Sequence, residues 1–164
     1  MVIIIIAIVV IVAALVAAIF IWKVQKKNKS KEFMSFMESM NLTNLPVVTF
    51  TVKGKKLNFL LDTGCIISII TQELVSVLNP KMLDVRSNVF GMEGNSVECG
   101  MCMLELEYKG GTYPDYFQIL DMQNSFSKIK QESGVNVHGI IGTKFFQRYK
   151  SVLDFDELKA YFQK

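Results

Sequence analysis

The chain opens with an uninterrupted apolar run, since no residue from Met1 to Trp22 carries a charged or strongly polar side chain. At a rise of about 1.5 Å per residue, a helix over residues 2–22 would span about 31 Å, which matches the hydrocarbon thickness of a bilayer. A buried core helix would show a polar face, and a cleaved signal peptide usually has a basic start and a shorter apolar run. We therefore predict a retained transmembrane anchor over 1–22, in contact with membrane lipid through residues 2–22 and with Trp22 at the interface.

The pattern changes at residue 23 to a basic stretch, which we interpret as a linker that continues to residue 45. No charged side chain precedes the span and five lysines follow it, so the positive-inside rule predicts a single-pass membrane protein whose C-terminal domain lies in the cytoplasm. Large apolar residues then recur at helical spacing, which predicts a short amphipathic helix that either lies on the membrane or packs on the domain. The basic residues are Lys23, Lys26, Lys27, Lys29 and Lys31, and the apolar ones are Phe33, Phe36, Met37 and Met40.

Residues 46–164 show short β-rich segments separated by turns, which predicts an all-β closed or sandwiched domain with about one helix. Segments 47–52 and 56–61 flank a Lys-Gly-Lys turn and predict a hairpin. Two more strands are expected within 88–108, around a glycine-bearing turn. The other predictions are extended and then helical structure at 68–74, a strand at 113–120, a polar loop at 126–134, a helix at 143–149 and a closing hairpin at 152–155 and 160–162.

Composition narrows the classes of function. Hydrophobic residues make up 51% of the 164 residues, but only about 43% of the part after Trp22, which is ordinary for a globular domain. The net charge of +3 comes from the linker, because 13 basic and 15 acidic residues remain without its five lysines. We therefore expect no nucleic-acid partner. The three cysteines include one C-x-x-C pair, Cys99 and Cys102, with no second pair or histidines beside it, so we expect no metal and no cofactor.

One short motif carries candidate chemistry, because an acid follows an apolar strand and precedes a glycine turn at residues 62–64. Alone, Asp-Thr-Gly usually marks a turn whose Asp accepts backbone N–H groups. Its context favours a functional site. A small residue and a hydroxyl follow it, and a second segment, apolar and bounded by two glycines at residues 139–142, precedes the helix predicted at 143–149. The residues concerned are Asp62, Thr63, Gly64, Cys65 and Ser68 in the first element and Gly139, Ile140, Ile141 and Gly142 in the second.

At these residues the chain resembles the retropepsin-like aspartic proteases, the family of retroviral proteases. Residues 59–68 resemble the catalytic loop of that family, and residues 139–142 with the following helix resemble its second characteristic element. The resemblance covers about residues 46–162 and implies an all-β, retropepsin-like acid protease barrel with one short helix, preceded here by a single N-terminal transmembrane helix. A flap is implied at residues 89–96, with Phe90, Gly91, Met92, Glu93 and Gly94 at its tip.

The resemblance implies an aspartic endopeptidase that acts as a homodimer on a peptide or protein substrate. Two carboxylates that share one proton activate a water, and the chain has only one Asp-Thr-Gly, so a two-fold axis must place Asp62 opposite Asp62 of the partner subunit. The family pattern assigns Thr63 to a hydrogen bond across the dimer, with simple strand filling as the alternative, and Gly64 to a close approach of the two loops. Cys65 replaces the Ala or Ser of the family. A hydroxyl at this position could donate to the ionised carboxylate and stabilise it, whereas a thiol donates weakly. The substitution therefore predicts activity in weakly acidic to near-neutral conditions.

Two other interpretations remain open. One is a catalytically weak or inactive dimerisation or peptide-binding module at the membrane, which Cys65 and Lys144 favour because Lys144 stands where the family often has Asp or Asn. The other is an anchored structural protein in which Asp62 only caps a turn. The second element and the flap-like turn argue against this last interpretation.

Overall fold

The structure of the protein is a computed structural model that describes residues 15–17, 34–90 and 96–163. The chain divides into two units after residue 30, and the elements below belong to the second unit. Of the predicted anchor only residues 15–17 are described, in helical conformation, and the rest lies outside the described residues. No helix among the described residues is long and apolar enough to cross a membrane. The anchor and the boundaries at 22 and 45 stay predictions.

Strands outnumber helices in the described second unit. The strands are β1 (Val47–Val52), β2 (Lys55–Leu61), β3 (Ser68–Thr71), β4 (Lys81–Phe90), β5 (Ser96–Tyr108), β6 (Gly111–Leu120), β7 (Gly139–Ile141), β8 (Val152–Asp154) and β9 (Lys159–Tyr161). The helices are α1 (Phe36–Thr43), α2 (Glu73–Leu78), α3 (Gln123–Ser133) and α4 (Thr143–Arg148).

Six of these strands close into a barrel. They pair in the order β1-β2-β7-β3-β6-β5, and β5 returns to β1 where Thr51 lies opposite Glu107. β4 pairs with β5 as a further strand of the sheet, and β8 and β9 form a separate antiparallel hairpin. Of the two predicted arrangements, closed or sandwiched, the closed β-barrel is therefore confirmed, as are the hairpin of β1 and β2 and the closing hairpin.

The prediction of one short helix is wrong, because four helices lie in the described part of the second unit. α4 matches the helix predicted at 143–149, but α3 occupies the segment predicted as a polar loop at 126–134. The apolar residues of α3 are one turn apart: Phe126 is buried and Ile129 is partly buried, in a hydrophobic cluster that also contains Met34, Val135 and Val137. The other positions are mostly polar and exposed. The segment is therefore polar on average, which is why its sequence predicted a loop although it forms a helix with one apolar face.

Aromatic side chains form a connected group within the barrel core, and such residues contribute strongly to core packing. Phe50 of β1 and Phe145 of α4 are fully buried with ring centroids 6.1 Å apart, and the ring of Phe59 in β2 lies 5.8 Å from that of Phe50. Phe36 of α1 belongs to the same cluster, so the predicted amphipathic helix packs on the domain. The core thereby fixes β2 and α4, the two elements that border Asp62.

Buried polar contacts hold the segment before β7 against β2. The His138 N–H donates to the Asn58 carbonyl at 2.8 Å, and the Asn58 N–H donates to His138 Nδ1 at 2.9 Å. The Asn58 side chain also donates to the Asn136 carbonyl at 2.9 Å and accepts from Thr49 Oγ1 at 2.6 Å. Burial lowers the pKa of the His138 imidazole, and the neutral ring is the form that accepts a hydrogen bond. These contacts set the register in which Phe59 lies opposite Gly139.

Candidate active site

Asp62 lies directly after β2, where the strand leaves the barrel. Phe59 and Leu61 are buried, so the strand before Asp62 is fixed by the core. β2 runs parallel to β7 with Leu61 opposite Ile141, and the Asp62 N–H donates to the Ile141 carbonyl at 3.0 Å. The residue itself is only partly buried. The backbone of Asp62 is therefore held by the barrel, while the residue remains partly exposed to solvent.

The turn after Asp62 is closed by the carboxylate. The Gly64 N–H donates to Asp62 Oδ1 at 2.8 Å, and the Cys65 N–H donates to the Asp62 carbonyl at 3.3 Å. Thr63 and Gly64 are exposed, and Ile66 is 67% exposed although it is apolar. The predicted turn at Asp62-Thr63-Gly64 is thus present, and it places a polar and an apolar side chain on the same exposed loop.

The first residues of α4 hold the carbonyl groups of this loop. The Thr143 N–H donates to the Cys65 carbonyl at 2.7 Å, and the Lys144 N–H donates to the Ile66 carbonyl at 3.0 Å. The Thr143 hydroxyl lies 2.9 Å from the Cys65 carbonyl oxygen and 3.0 Å from that of Thr63. Sequence reasoning did not single out Thr143, although a hydroxyl at the start of the predicted helix was a visible signal.

The second predicted element, residues 139–142, meets the Asp62 loop through two glycines. A Cβ on Gly142 would lie 2.9 Å from the Cys65 carbonyl oxygen and 2.9 Å from the carbonyl carbon of Ile67. A Cβ on Gly139 would overlap the Ile69 carbonyl and the ring of Phe59. Ile140 and Ile141 are buried in β7 between β2 and β3. The structure therefore brings together the two elements that the sequence places 71 or more residues apart along the chain.

Ser68 supports the loop indirectly. Its buried hydroxyl donates to Asp115 Oδ2 at 2.7 Å and accepts the Gly142 N–H at 3.2 Å. Asp115 also accepts from Arg148 at 2.6 Å, and its side chain is 3% exposed against 40% for Arg148. Burial raises the pKa of the Asp115 carboxyl, while the contacts with Ser68 and Arg148 act in the opposite direction. Sequence reasoning missed Asp115 and Arg148, because neither lies near the motif in the chain.

Cys65 is half-buried beside the carboxylate. Its Sγ donates to the Ile67 carbonyl at 3.0 Å. Burial raises the pKa of the Cys65 thiol, and the negative charge of Asp62 raises it further. The thiol is therefore protonated at neutral pH and engaged with backbone. Cys99 and Cys102 are both buried, and no group of three metal-ligating side chains forms a candidate site among the described residues.

The predicted flap corresponds to the hairpin of β4 and β5. The strands pair up to Phe90 and Ser96, with a bulge between Leu83 and Arg86 on β4. The tip residues Gly91, Met92, Glu93 and Gly94 lie outside the described residues, and Phe90 is described only in its backbone. The hairpin is confirmed, and a role of its tip over a substrate stays a prediction.

Comparisons with known proteins bear on the fold of this domain. The retroviral protease-like domain of Ddi1 from Leishmania major aligns with a TM-score of 0.50 and 17% sequence identity, over 72% of this chain and 85% of that chain. The EIAV protease in complex with the inhibitor HBY-793 aligns with a TM-score of 0.49 and 21% identity, over 70% of this chain and 97% of that chain. No family model and no curated protein matches the sequence. The alignment with the Ddi1 domain shows that residues of the described second unit adopt a retropepsin-like fold.

Proposed function

We propose that this protein is an aspartic endopeptidase that is active as a homodimer and tethered to a membrane. The observation that carries the proposal is the position of Asp62 in a retropepsin-like barrel. This carboxylate closes an exposed turn at the end of a buried strand, and the turn is fixed on one side by β7 and on the other by α4. A fixed loop that presents a carboxylate to solvent is suited to activating a water.

The chemistry requires a second carboxylate. Two facing carboxylates share one proton, because two like charges at short distance do not both ionise. The ionised Asp62 takes a proton from water, whose oxygen attacks the scissile carbonyl carbon, and the protonated Asp62 of the partner subunit donates to the carbonyl oxygen. On collapse of the tetrahedral intermediate the C–N bond breaks, Asp62 gives its proton to the leaving amine, and the partner subunit's Asp62 takes back a proton from one hydroxyl of the intermediate. The exposed Thr63, Gly64 and Ile66 give the loop a surface that a second copy would cover.

The membrane tether rests on the sequence. The apolar run over residues 2–22 and the lysines that follow it support an anchor with the domain on the cytoplasmic side. Two chains in one bilayer have a raised effective concentration, which favours a weak dimer. The full chain is expected to stay with the membrane fraction after alkaline carbonate extraction. Recovery in the supernatant would contradict the anchor.

The proposed reaction is tested by digesting a proteome-derived peptide pool with the full chain in detergent micelles, followed by mass spectrometry of new termini. A matched control exists, because Asp121 closes a similar turn by accepting the Gln123 N–H at 3.0 Å. Wild type and Asp121→Asn are expected to cleave, and Asp62→Asn is expected to fall to background. Cleavage that survives Asp62→Asn would contradict the mechanism.

A peptide-binding module is the second candidate, and one observation favours it. The Cys65 thiol donates to the Ile67 carbonyl, so it does not stabilise the ionised Asp62 carboxylate by a hydrogen bond as a hydroxyl at this position could. In this case the wild-type chain would cleave no peptide between weakly acidic and neutral pH, yet would retain peptides from the pool on a column. Retention together with cleavage would favour the enzyme.

A further inference from the structure

The Asp62 loop depends on the orientation of α4, and α4 is only six residues long. Its first residue, Thr143, contributes the N–H and the hydroxyl that hold the Cys65 carbonyl. The next residue, Lys144, is exposed and donates its backbone N–H to the Ile66 carbonyl. The buried ring of Phe145 holds α4 on the core, and a further constraint at its ends would fix the direction of this short helix.

A buried carboxylate supplies that constraint at both ends of α4. Asp115 Oδ1 accepts from Arg148, the last residue of the helix, at 2.6 Å. Asp115 Oδ2 accepts from the Ser68 hydroxyl at 2.7 Å, and the same hydroxyl accepts the N–H of Gly142, the residue that precedes the helix, at 3.2 Å. One side chain on β6 thus connects β3 with both ends of α4.

We propose that Asp115 and Arg148 are positioning residues, which set the Asp62 loop in its productive geometry through α4. The inference rests on the proposed function of Asp62 and extends it to a pair that lies outside the Asp62 loop. The connection to the loop is short, since Gly142 packs directly on the backbone of residues 65–67. Movement of Gly142 therefore moves the turn that carries Asp62.

Stability alone is a poor reason for such a pair. Burying a carboxylate carries a large desolvation cost, and apolar side chains of similar volume often stabilise a protein as well or better than a buried ion pair. The pair is also uneven, because Asp115 is 3% exposed while Arg148 is 40% exposed and screened by solvent. The carboxylate instead fixes the orientation of α4 relative to β3, since one of its oxygens accepts from Arg148 and the other from Ser68.

The test uses the full chain in detergent micelles and three kinds of variant. Asp115→Asn keeps the shape and removes the charge, while Ser68→Ala and Ser68→Thr remove and keep the hydroxyl. Glu157→Gln is the matched control, because it removes the exposed pair of Glu157 with Lys159 at 2.6 Å in the C-terminal hairpin. Each variant is measured for kcat and KM on a peptide cleaved by wild type, and for amide hydrogen exchange of residues 62–67 and 142–146.

Asp115→Asn and Ser68→Ala are expected to lower kcat by about tenfold to hundredfold with KM changed less than about threefold, since a small misplacement of reacting groups costs rate rather than binding. The amides of Cys65, Thr143 and Lys144 should exchange faster in both variants. Ser68→Thr should restore both readouts, and Glu157→Gln should change neither. If Asp115→Asn does not fold, the Ser68 pair decides the question alone.

Unchanged kcat and unchanged exchange in Asp115→Asn or Ser68→Ala would overturn the proposal. The proposal would also be overturned if Ser68→Thr lowered kcat as much as Ser68→Ala does, because the hydroxyl would then not be the connecting group. The exchange measurement does not require cleavage. If wild type cleaves no peptide, the proposed function fails, while faster exchange in Asp115→Asn still supports the coupling of this pair to the Asp62 loop.

Discussion

Replacement of Gly142 by alanine tests how closely the Asp62 loop packs on the second element. The backbone at Gly142 has φ −100° and ψ 177°, which any residue adopts, so the added methyl group acts only through space. Its Cβ would lie 2.9 Å from the Cys65 carbonyl oxygen, 2.9 Å from the carbonyl carbon of Ile67 and 3.1 Å from that of Ile66. All three neighbours are backbone atoms, which cannot rotate away as a flexible side chain can.

The size of the effect follows from these distances. Non-bonded heavy atoms prefer separations of about 3.5–4.0 Å, so the loop must move by about half an ångström or more. Overpacking of this kind costs about 1–3 kcal/mol of unfolding free energy. A shift of that order in a catalytic group also lowers kcat by about tenfold or more. The hydrogen bond from residue 142 to Ser68 is kept, because alanine retains the N–H.

Gly100→Ala is the matched control in the same barrel. A Cβ on Gly100 would lie 3.8 Å from Ile119 Cδ1, an ordinary contact with the end of a side chain. Its unfolding free energy should stay within about 1 kcal/mol of wild type, with kcat unchanged. The assays are urea denaturation followed by circular dichroism and cleavage of a peptide identified in the pool. Equal stability and equal kcat for Gly142→Ala and Gly100→Ala would refute the close packing.

Three further predictions concern the thiols, the histidine and the core. Asp62→Asn should lower the pKa of the Cys65 thiol, because the charge of Asp62 adds to burial in raising it, and iodoacetamide should then modify Cys65 faster at pH 8. Cys102, whose burial raises its pKa to about 11, should stay unmodified in both forms, as judged by peptide mass spectrometry. Burial lowers the pKa of His138 from its ordinary value of 6.5, so as the pH falls the unfolded chain binds a proton at this residue before the folded chain does. The unfolding free energy should therefore fall as the pH drops below about 6.5 and level off below the folded pKa. His138→Gln should lose that part of the pH dependence in urea titrations. Phe145→Ala, which empties a fully buried site, should cost about 3–5 kcal/mol in the same titrations.

Each of these predictions has a contrary result. An alkylation rate that Asp62→Asn leaves unchanged would contradict the electrostatic contact between the two side chains. A pH dependence shared by wild type and His138→Gln would assign it to other groups. A cost below about 1 kcal/mol for Phe145→Ala would contradict the aromatic core.

The strands were predictable because short runs of β-branched and aromatic residues between turn residues are visible locally. Segment 47–52 was predicted with the bounds that β1 has, and 56–61 lacks only the first residue of β2. α3 was not predictable by the same means, because its apolar contacts come from Phe126 and Ile129 alone among polar neighbours. Its burial depends on residues such as Met34 and Ile69 that are distant in the chain, which no local pattern contains.

The candidate site divides in the same way. The turn at Asp62 and the glycine-bounded element at 139–142 have local signatures, and the structure brings them into contact. Asp115 and Arg148 have none, because an isolated Asp on a strand and an Arg at a helix end are common surface residues. Only the pairing of β3 with β6 places Asp115 beside Ser68, 47 residues away in the chain. The anchor over 1–22 and the flap tip stay predictions.

The central claim is that two chains each contribute one Asp62 to a shared site. Wild-type chains and Asp62→Asn chains carrying different affinity tags are mixed at constant total concentration, and tag-to-tag capture verifies that subunits exchange. If both carboxylates are needed, activity falls with the square of the wild-type fraction, to about a quarter in an equal mixture. A linear fall, to about half at the same mixture, would mean that each Asp62 acts independently of its partner and would contradict the shared dyad.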